Sequence, residues 1–325
     1  MDDGGVKQSV SLLGMKPGSK WALLAEWCDR SFVRQALSYE LAYPLMDYIP
    51  KTKYCEVFIN GIYYGLYQLS EQPTRKRLGI SKDGCLLYLV HDWQSDFSCV
   101  YECSGKTIES SFEMKYPKIE NCDSSRIDVI KTSVFDMIHS FDDRQNHSYE
   151  TIIDVKSFAD YQLSSEFSKN LDAYNFSAYL YKEGEDFPYK MSLWDVDLSF
   201  GGDAFQISLP NGWVYDEGGG NRLWWQTLMK DKNYRDAVAR RWTQCRKKEY
   251  SDERIAMVLD SLVACITSSG AVERDAQAWG TYSDVKDYNV HVKWEAISFD
   301  KEVKFLRNWI HLRLMWMDSQ LKCLK

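Results

Sequence analysis

In the first half of the chain the apolar residues come in short β-forming runs broken by turn residues. In the second half they recur at helical spacing. The clearest run is Cys55-Glu56-Val57-Phe58-Ile59, then Asn60-Gly61, then Ile62-Tyr63-Tyr64-Gly65-Leu66-Tyr67-Gln68-Leu69. Asn-Gly tolerates positive φ at both positions and closes a two-residue hairpin, so residues 54–71 read as a β-hairpin. Residues 84–90 and 110–116 read as two further strands. Upstream, residues 19–46 read as a loop entering a helix. Asp29 or Ser31 can cap that helix, Phe32, Ala36, Tyr39 and Ala42 fall at helical spacing, and Pro44 ends it.

The segment 117–150 is polar, with a helical stretch at 124–140. Asp154 can cap a helix over 155–170 that carries Val155, Phe158, Leu163 and Phe167. Residues 174–183 and 188–197 read as paired strands across Glu183-Gly184-Glu185-Asp186. The Gly-rich stretch 203–221 reads as a loop, and helices are predicted at 222–230, 232–247, 252–268 and 298–320. The order implies an α+β protein, strand-rich over 1–150 and helical over 151–325, built as two lobes or one continuous domain.

A length of 325 residues is ample for a sizeable core. A net charge of -7 disfavours nucleic acid as a partner, and the short cluster Arg75-Lys76-Arg77 reads as a solvated loop. The 12 Trp, 21 Tyr and 14 Phe fill a core or stack on sugars and nucleobases. Nine scattered cysteines without CxxC spacing imply buried thiols rather than a disulfide framework or a zinc site. None of the five histidines pairs with another at helical spacing, which disfavours a His-based metal site. Met1-Asp2-Asp3-Gly4-Gly5 carries no apolar signal region, and no run is long enough for a membrane span.

The candidate chemistry lies in Trp194-Asp195-Val196-Asp197-Leu198-Ser199-Phe200-Gly201-Gly202. On a strand, residues two apart share a side, so Asp195 and Asp197 would point the same way. Like charges that close call for a cation between them, and hard cations such as Mg²⁺ prefer carboxylate oxygen. The alternative is one aspartate capping a turn and the other facing solvent. Asp172 follows one predicted helix, precedes a predicted strand, and lies 23 residues before Asp195. A strand–turn–strand return would bring the two to one site, one as general base and one as metal ligand. Alone, Asp172 also fits a helix-terminal residue in a polar loop.

Together these residues resemble the spore coat protein H (CotH) kinase family. The resemblance rests on Leu12-Leu13-Gly14-Met15, Trp21 to Ala25, Asp29-Arg30-Ser31 with Arg34, and the hairpin from Phe58 to Glu71. It continues in Lys115-Tyr116-Pro117, in Glu166 to Asp172, and in Trp194-Asp195-Val196-Asp197. It implies an atypical protein-kinase-like fold over 1–325 and transfer of the ATP γ-phosphate to protein Ser/Thr hydroxyls, with Mg²⁺ or Mn²⁺. Asp172 matches the catalytic aspartate and Asp195 the metal-binding one, with Asp197 in support. A kinase catalytic loop carries Asn five residues after its Asp; here that position is Ser177, and Asn175 at three is the candidate metal ligand. Arg34, Lys115 and Glu71 are the candidate cofactor-binding residues. Lys115 and Arg34 also read as surface charges, and Gln72 stands where the family often has Lys.

Relatives usually carry an Arg-Gly-Asn-Ser-Thr-Trp segment and a Lys-rich strand before the part equivalent to Leu12. This chain begins after it, so the resemblance implies a domain without that strand and phosphate-loop segment. Relatives of this type often look exported, which suggests the cell envelope. Two other functions fit the residues. One is a catalytically inactive envelope or interaction module. The other is a glycosidase using Asp172 and Asp195 as its carboxylate pair.

Overall fold

The structure is a computed structural model. It describes residues 8–26, 29–103, 105–143, 145–202, 208–217, 221–282 and 298–322. The predicted front end, Met1 to Gly5, lies outside them, as does part of the 203–221 stretch.

The chain starts with β1 (Trp21–Ala25), where a loop was expected, and runs into α1 (Arg34–Ala42). The strand escapes a periodicity reading because it is short and mostly half-exposed; its identity comes from pairing with a distant partner. Phe32, expected on the helix, precedes it with φ 57°. The Asp29 carboxylate accepts the Arg34 N–H at 2.8 Å and so caps the first turn from outside. The hairpin is β2 (Thr52–Ile59) and β3 (Ile62–Glu71), with Asn60 at φ 52° and Gly61 at φ 80° as its turn chemistry demands. These strands form a three-stranded antiparallel sheet in the order β1-β3-β2.

Next come β4 (Cys85–Leu89), β5 (Phe97–Cys103) and β6 (Lys106–Tyr116), then α2 (Ser124–Ser140), α3 (Tyr149–Ile152) and α4 (Val155–Ser168). Asp154 caps α4 as expected, accepting the Ser157 N–H at 2.9 Å. The strand β5 was not predicted. After α4 follow β7 (Ala178–Lys182) and β8 (Lys190–Leu193), then α5 (Arg222–Leu228), α6 (Lys232–Cys245), α7 (Asp252–Thr267), α8 (Ala271–Trp279) and α9 (Phe299–Lys322). The larger sheet has the order β5-β6-β4-β7-β8, so strands from both halves of the chain share one layer. The fold is α+β, strand-rich first and helical second.

One expectation fails at the decisive place. The strand predicted over 188–197 stops at Leu193, because Asp195 sits at φ 54°, outside the range of extended backbone. Asp195 and Asp197 therefore lie on a loop, and strand alternation does not orient them.

The aromatic residues mostly fill the core, where Trp225 stacks on Tyr161 and lies tilted against Phe158 and Tyr174. Cys85, Cys99 and Cys245 are buried free thiols, whereas Cys265 is exposed. No single helix among the described residues is long and apolar enough to cross a membrane; α7 and α8 pass that test only as a pair bent by 65°.

Candidate functional site

Asp172 sits in the loop that leaves α4. Lys169 turns the chain with a left-handed φ of 50°. The Asp172 carbonyl then accepts the N–H groups of Asn175 (3.2 Å) and Phe176 (3.1 Å), which closes a tight turn. This loop is tied to the one after β8: Leu171 N–H donates to Leu198 at 3.3 Å and Phe200 N–H to Ser168 at 2.6 Å. Tyr174, Ser177, Asp195 and Phe200 all have left-handed φ values between 50° and 79°. Non-glycine residues rarely adopt that conformation, and such strain persists only where the surroundings impose it.

The imposing surroundings come from α1. Gln35, Ser38 and Tyr39 lie on one of its faces. The Asp195 N–H donates to the Tyr39 hydroxyl at 3.1 Å, and the Val196 N–H to the Gln35 amide oxygen at 3.2 Å. The Ser38 and Ser199 hydroxyls are 3.3 Å apart. From the other side, the Ser177 hydroxyl donates to the Asp195 carboxylate at 3.4 Å.

The electrostatics show which carboxylates share this space. Burial pushes the Asp197 carboxyl up to about 6, the charge of Asp195 adds to that, and Asp172 contributes further. Burial also raises Asp195, against the Ser177 hydrogen bond. A fourth acid was missed from sequence. Glu26, at the end of β1, is held well above the usual carboxylate range by burial, then by Asp29, Asp197 and Asp195. Its Oε2 atom is buried with no hydrogen-bond partner among the described residues, while Oε1 accepts from Gln35 at 3.5 Å. The signal for Glu26 in the sequence was an acid directly after an apolar run. Gln35, on a helix that also carries Arg34, Ser38 and Glu40, gave no comparable signal.

These donors suit a hard cation. Burial holds the Asp195 and Asp197 carboxyls above their usual range, with the Asp195 charge adding to Asp197, and the Asn175 amide oxygen is buried with no partner among the described residues. Among the described residues no three His, Cys, Asp or Glu side chains lie close enough to enclose a metal ion unaided. A site of one or two carboxylates needs water and substrate phosphate to complete a Mg²⁺ shell.

Of the three proposed cofactor residues, Arg34 flanks the loop site and the other two line a neighbouring cavity. Arg34 is fully buried; its guanidinium is gripped by Asp29 and by Glu302 of α9 at 2.6 Å, so it is no surface charge. Lys115, on β6, pairs with Glu113 at 2.5 Å and lies over the Tyr88 ring at 4.9 Å. Glu71 ends β3, buried, 3.6 Å from Arg77. Lys115 and Glu71 line a cavity of about 880 Å³ that none of the four carboxylates of the loop site reaches. The structure thus brings Asp172, Asp195 and Asp197 together and sets Lys115 and Glu71 apart from them.

The sequence matches the family described as CotH kinase protein over residues 2–317. It is also similar to the inner spore coat protein H of Bacillus subtilis (strain 168), 27% identical over 184 residues. That alignment covers 56% of this chain and 50% of the relative, so the match spans about half the length of the curated protein.

Proposed function

Because the chain belongs to the CotH kinase family, we propose that it is a phosphotransferase that moves the γ-phosphate of ATP to a protein hydroxyl. The observation that carries this reading is the electrostatic convergence of Asp172, Asp195 and Asp197 on two hydrogen-bonded loops. Asp172 is the base: its carboxylate takes the proton of the acceptor hydroxyl as that oxygen bonds to the γ-phosphorus and the bond to the β-phosphate oxygen breaks. Asp195 and Asp197, with the unpartnered Asn175 amide oxygen, would hold Mg²⁺ or Mn²⁺, which neutralises the phosphate charge. Tyr39 and Gln35 fix the backbone that carries both aspartates. Arg34 is kept for its hold on α1 and α9 rather than for a phosphate, and Lys115 and Glu71 face the neighbouring cavity.

Two variants test the assignment. Asp172→Ala is expected to keep nucleotide binding and lose radiolabel transfer from γ-labelled ATP. Asp195→Ala is expected to lose metal-dependent nucleotide binding in calorimetry. Equal label incorporation by wild type and Asp172→Ala, or unchanged MgATP affinity in Asp195→Ala, would refute the roles. A second reading, a binding module without transferase activity, is favoured by Ser177 at the position where a kinase loop has Asn. Metal-dependent binding with no transfer by the wild type would select it.

A further inference from the structure

The cavity that holds Lys115 and Glu71 has a charge opposite to that of the chain. Its walls carry eight Lys and Arg side chains and two acids, in a protein of net charge -7. Both acids are engaged, Asp47 with Lys190 at 2.6 Å and Glu71 with Arg77 at 3.6 Å. Glu113 lies beside the cavity and pairs with Lys115 and Lys118. Even with Glu113 counted, the cations outnumber the acids by more than two to one.

The topology assembles this excess. Trp21 pairs with Glu71 and Thr52 with Ser70, so the chain entering β1, the chain entering β2 and the chain leaving β3 meet at one end of the small sheet. They bring Lys16, Lys51 and Arg77 to one wall, and β6 brings Lys115 to the other. Arg77, expected in a solvated loop, is built into the wall. Its guanidinium stacks on Trp21 at 4.8 Å and donates to the Lys20 and Gln72 carbonyls. The guanidinium lies against Gly18, where a Cβ would push it aside. The buried Tyr48 hydroxyl in the same wall has no partner among the described residues. The cavity adjoins the carboxylate site without including its acids: Tyr179 lines it, and behind Tyr179 stands Trp194, edge to face at 6.0 Å, the residue before Asp195.

We propose that this cavity is a metal-independent binding site for a small ligand bearing a chain of phosphoryl groups. Cations spread over both walls suit several linked charges better than a single phosphate. Lysine and arginine are the side chains that pair with phosphate oxygens. Both carboxylates that line the cavity are paired with cations, so neutralisation falls to the remaining basic side chains. The phosphate chain can belong to a nucleoside triphosphate or to another phosphorylated compound.

Isothermal titration of the whole chain with sodium tripolyphosphate, in EDTA, tests this. Wild type is expected to bind, and more weakly as salt rises. The double variant Lys16→Glu/Lys51→Glu, at two exposed positions, is expected to lose about tenfold or more in affinity, while Lys232→Glu/Lys248→Glu, the same charge change at exposed positions outside the cavity, binds as wild type does. Thermal melting of the double variant checks that it is folded. Absence of binding in EDTA, equal affinity in the folded Lys16→Glu/Lys51→Glu variant, or equal loss in Lys232→Glu/Lys248→Glu would each overturn the site. Metal-free ATP is then added as competitor. Displacement of tripolyphosphate assigns the phosphate chain to the nucleotide, and simultaneous binding assigns it to another phosphorylated ligand. The kinase reading fails separately, through loss of transfer with this binding intact.

Discussion

The hydroxyl of Tyr39 accepts the backbone N–H of Asp195 at 3.1 Å, joining the middle of α1 to a residue whose φ is 54°. Tyr39 is buried, and burial followed by the Asp195 charge keeps its phenol protonated. The contact fixes a strained peptide where the carboxylates meet. Tyr39→Phe keeps the ring and leaves that N–H without its acceptor. A lost partner for a buried donor costs about 1–3 kcal/mol. Denaturant unfolding should show a loss of that size, and metal-dependent nucleotide affinity should fall with it. Unchanged affinity would mean that the loop holds its shape without Tyr39.

Asp197 makes stability depend on pH in an unusual direction for an aspartate. Its folded value is raised from 3.8 to about 6. Between those values the folded state holds a proton that the unfolded state has released, so stability falls as pH rises through that window and is level above it. The full difference is about 3 kcal/mol by linkage. Asp197→Asn lacks this group, so its melting temperature relative to wild type should climb from pH 4 to pH 6 and then stay constant. Ligand metal requires the deprotonated carboxylate, so metal affinity in wild type should rise over the same interval. A constant difference between the two proteins across the interval would place Asp197 outside the shared field.

Where local chemistry decides structure, the sequence was easy to read. Asn60-Gly61 fixes a hairpin turn and Asp154 caps α4, and both act on their immediate neighbours. The family motifs pointed to Asp172 and Asp195 for the same reason. The orientation of Asp195 was not legible, because its φ is imposed by Tyr39, Gln35 and Ser177, contacts that exist only after folding. Glu26 was missed on the same ground: it joins the acidic group through tertiary approach and shares no motif with it. The strands β1 and β5 and the helix α8 are short, and their character is set by what they pair or pack with.

Gly201 has φ 78°, and a Cβ there would lie 2.6 Å from the Trp309 indole. The paired glycines after Asp197 therefore let the loop turn against α9, and flexibility is not their only use. Gly201→Ala adds both a left-handed strain of about 1–2 kcal/mol and a clash with a buried ring. Thermal melting should show clear destabilisation. Trp309→Leu in the same background, by removing the indole, should restore part of the loss. No recovery would assign the whole effect to the backbone.

Arg34 bridges Asp29, which caps α1, and Glu302 at the start of α9, and all three are buried. The ion group thus fastens the helix that grips the Asp195 loop to the C-terminal helix. Removing only the cation leaves two carboxylates buried without it. For such a break the expected cost is about 3–5 kcal/mol. Arg34→Met should therefore destabilise strongly in urea at pH 7. A triple replacement of Arg34, Asp29 and Glu302 by apolar residues of similar size should recover much of the stability, since a buried ion group often contributes little over well-packed apolar residues. If Arg34→Met alone were nearly neutral at pH 7, water would have to reach both acids, and the α1–α9 tie would not be what holds the loop in place.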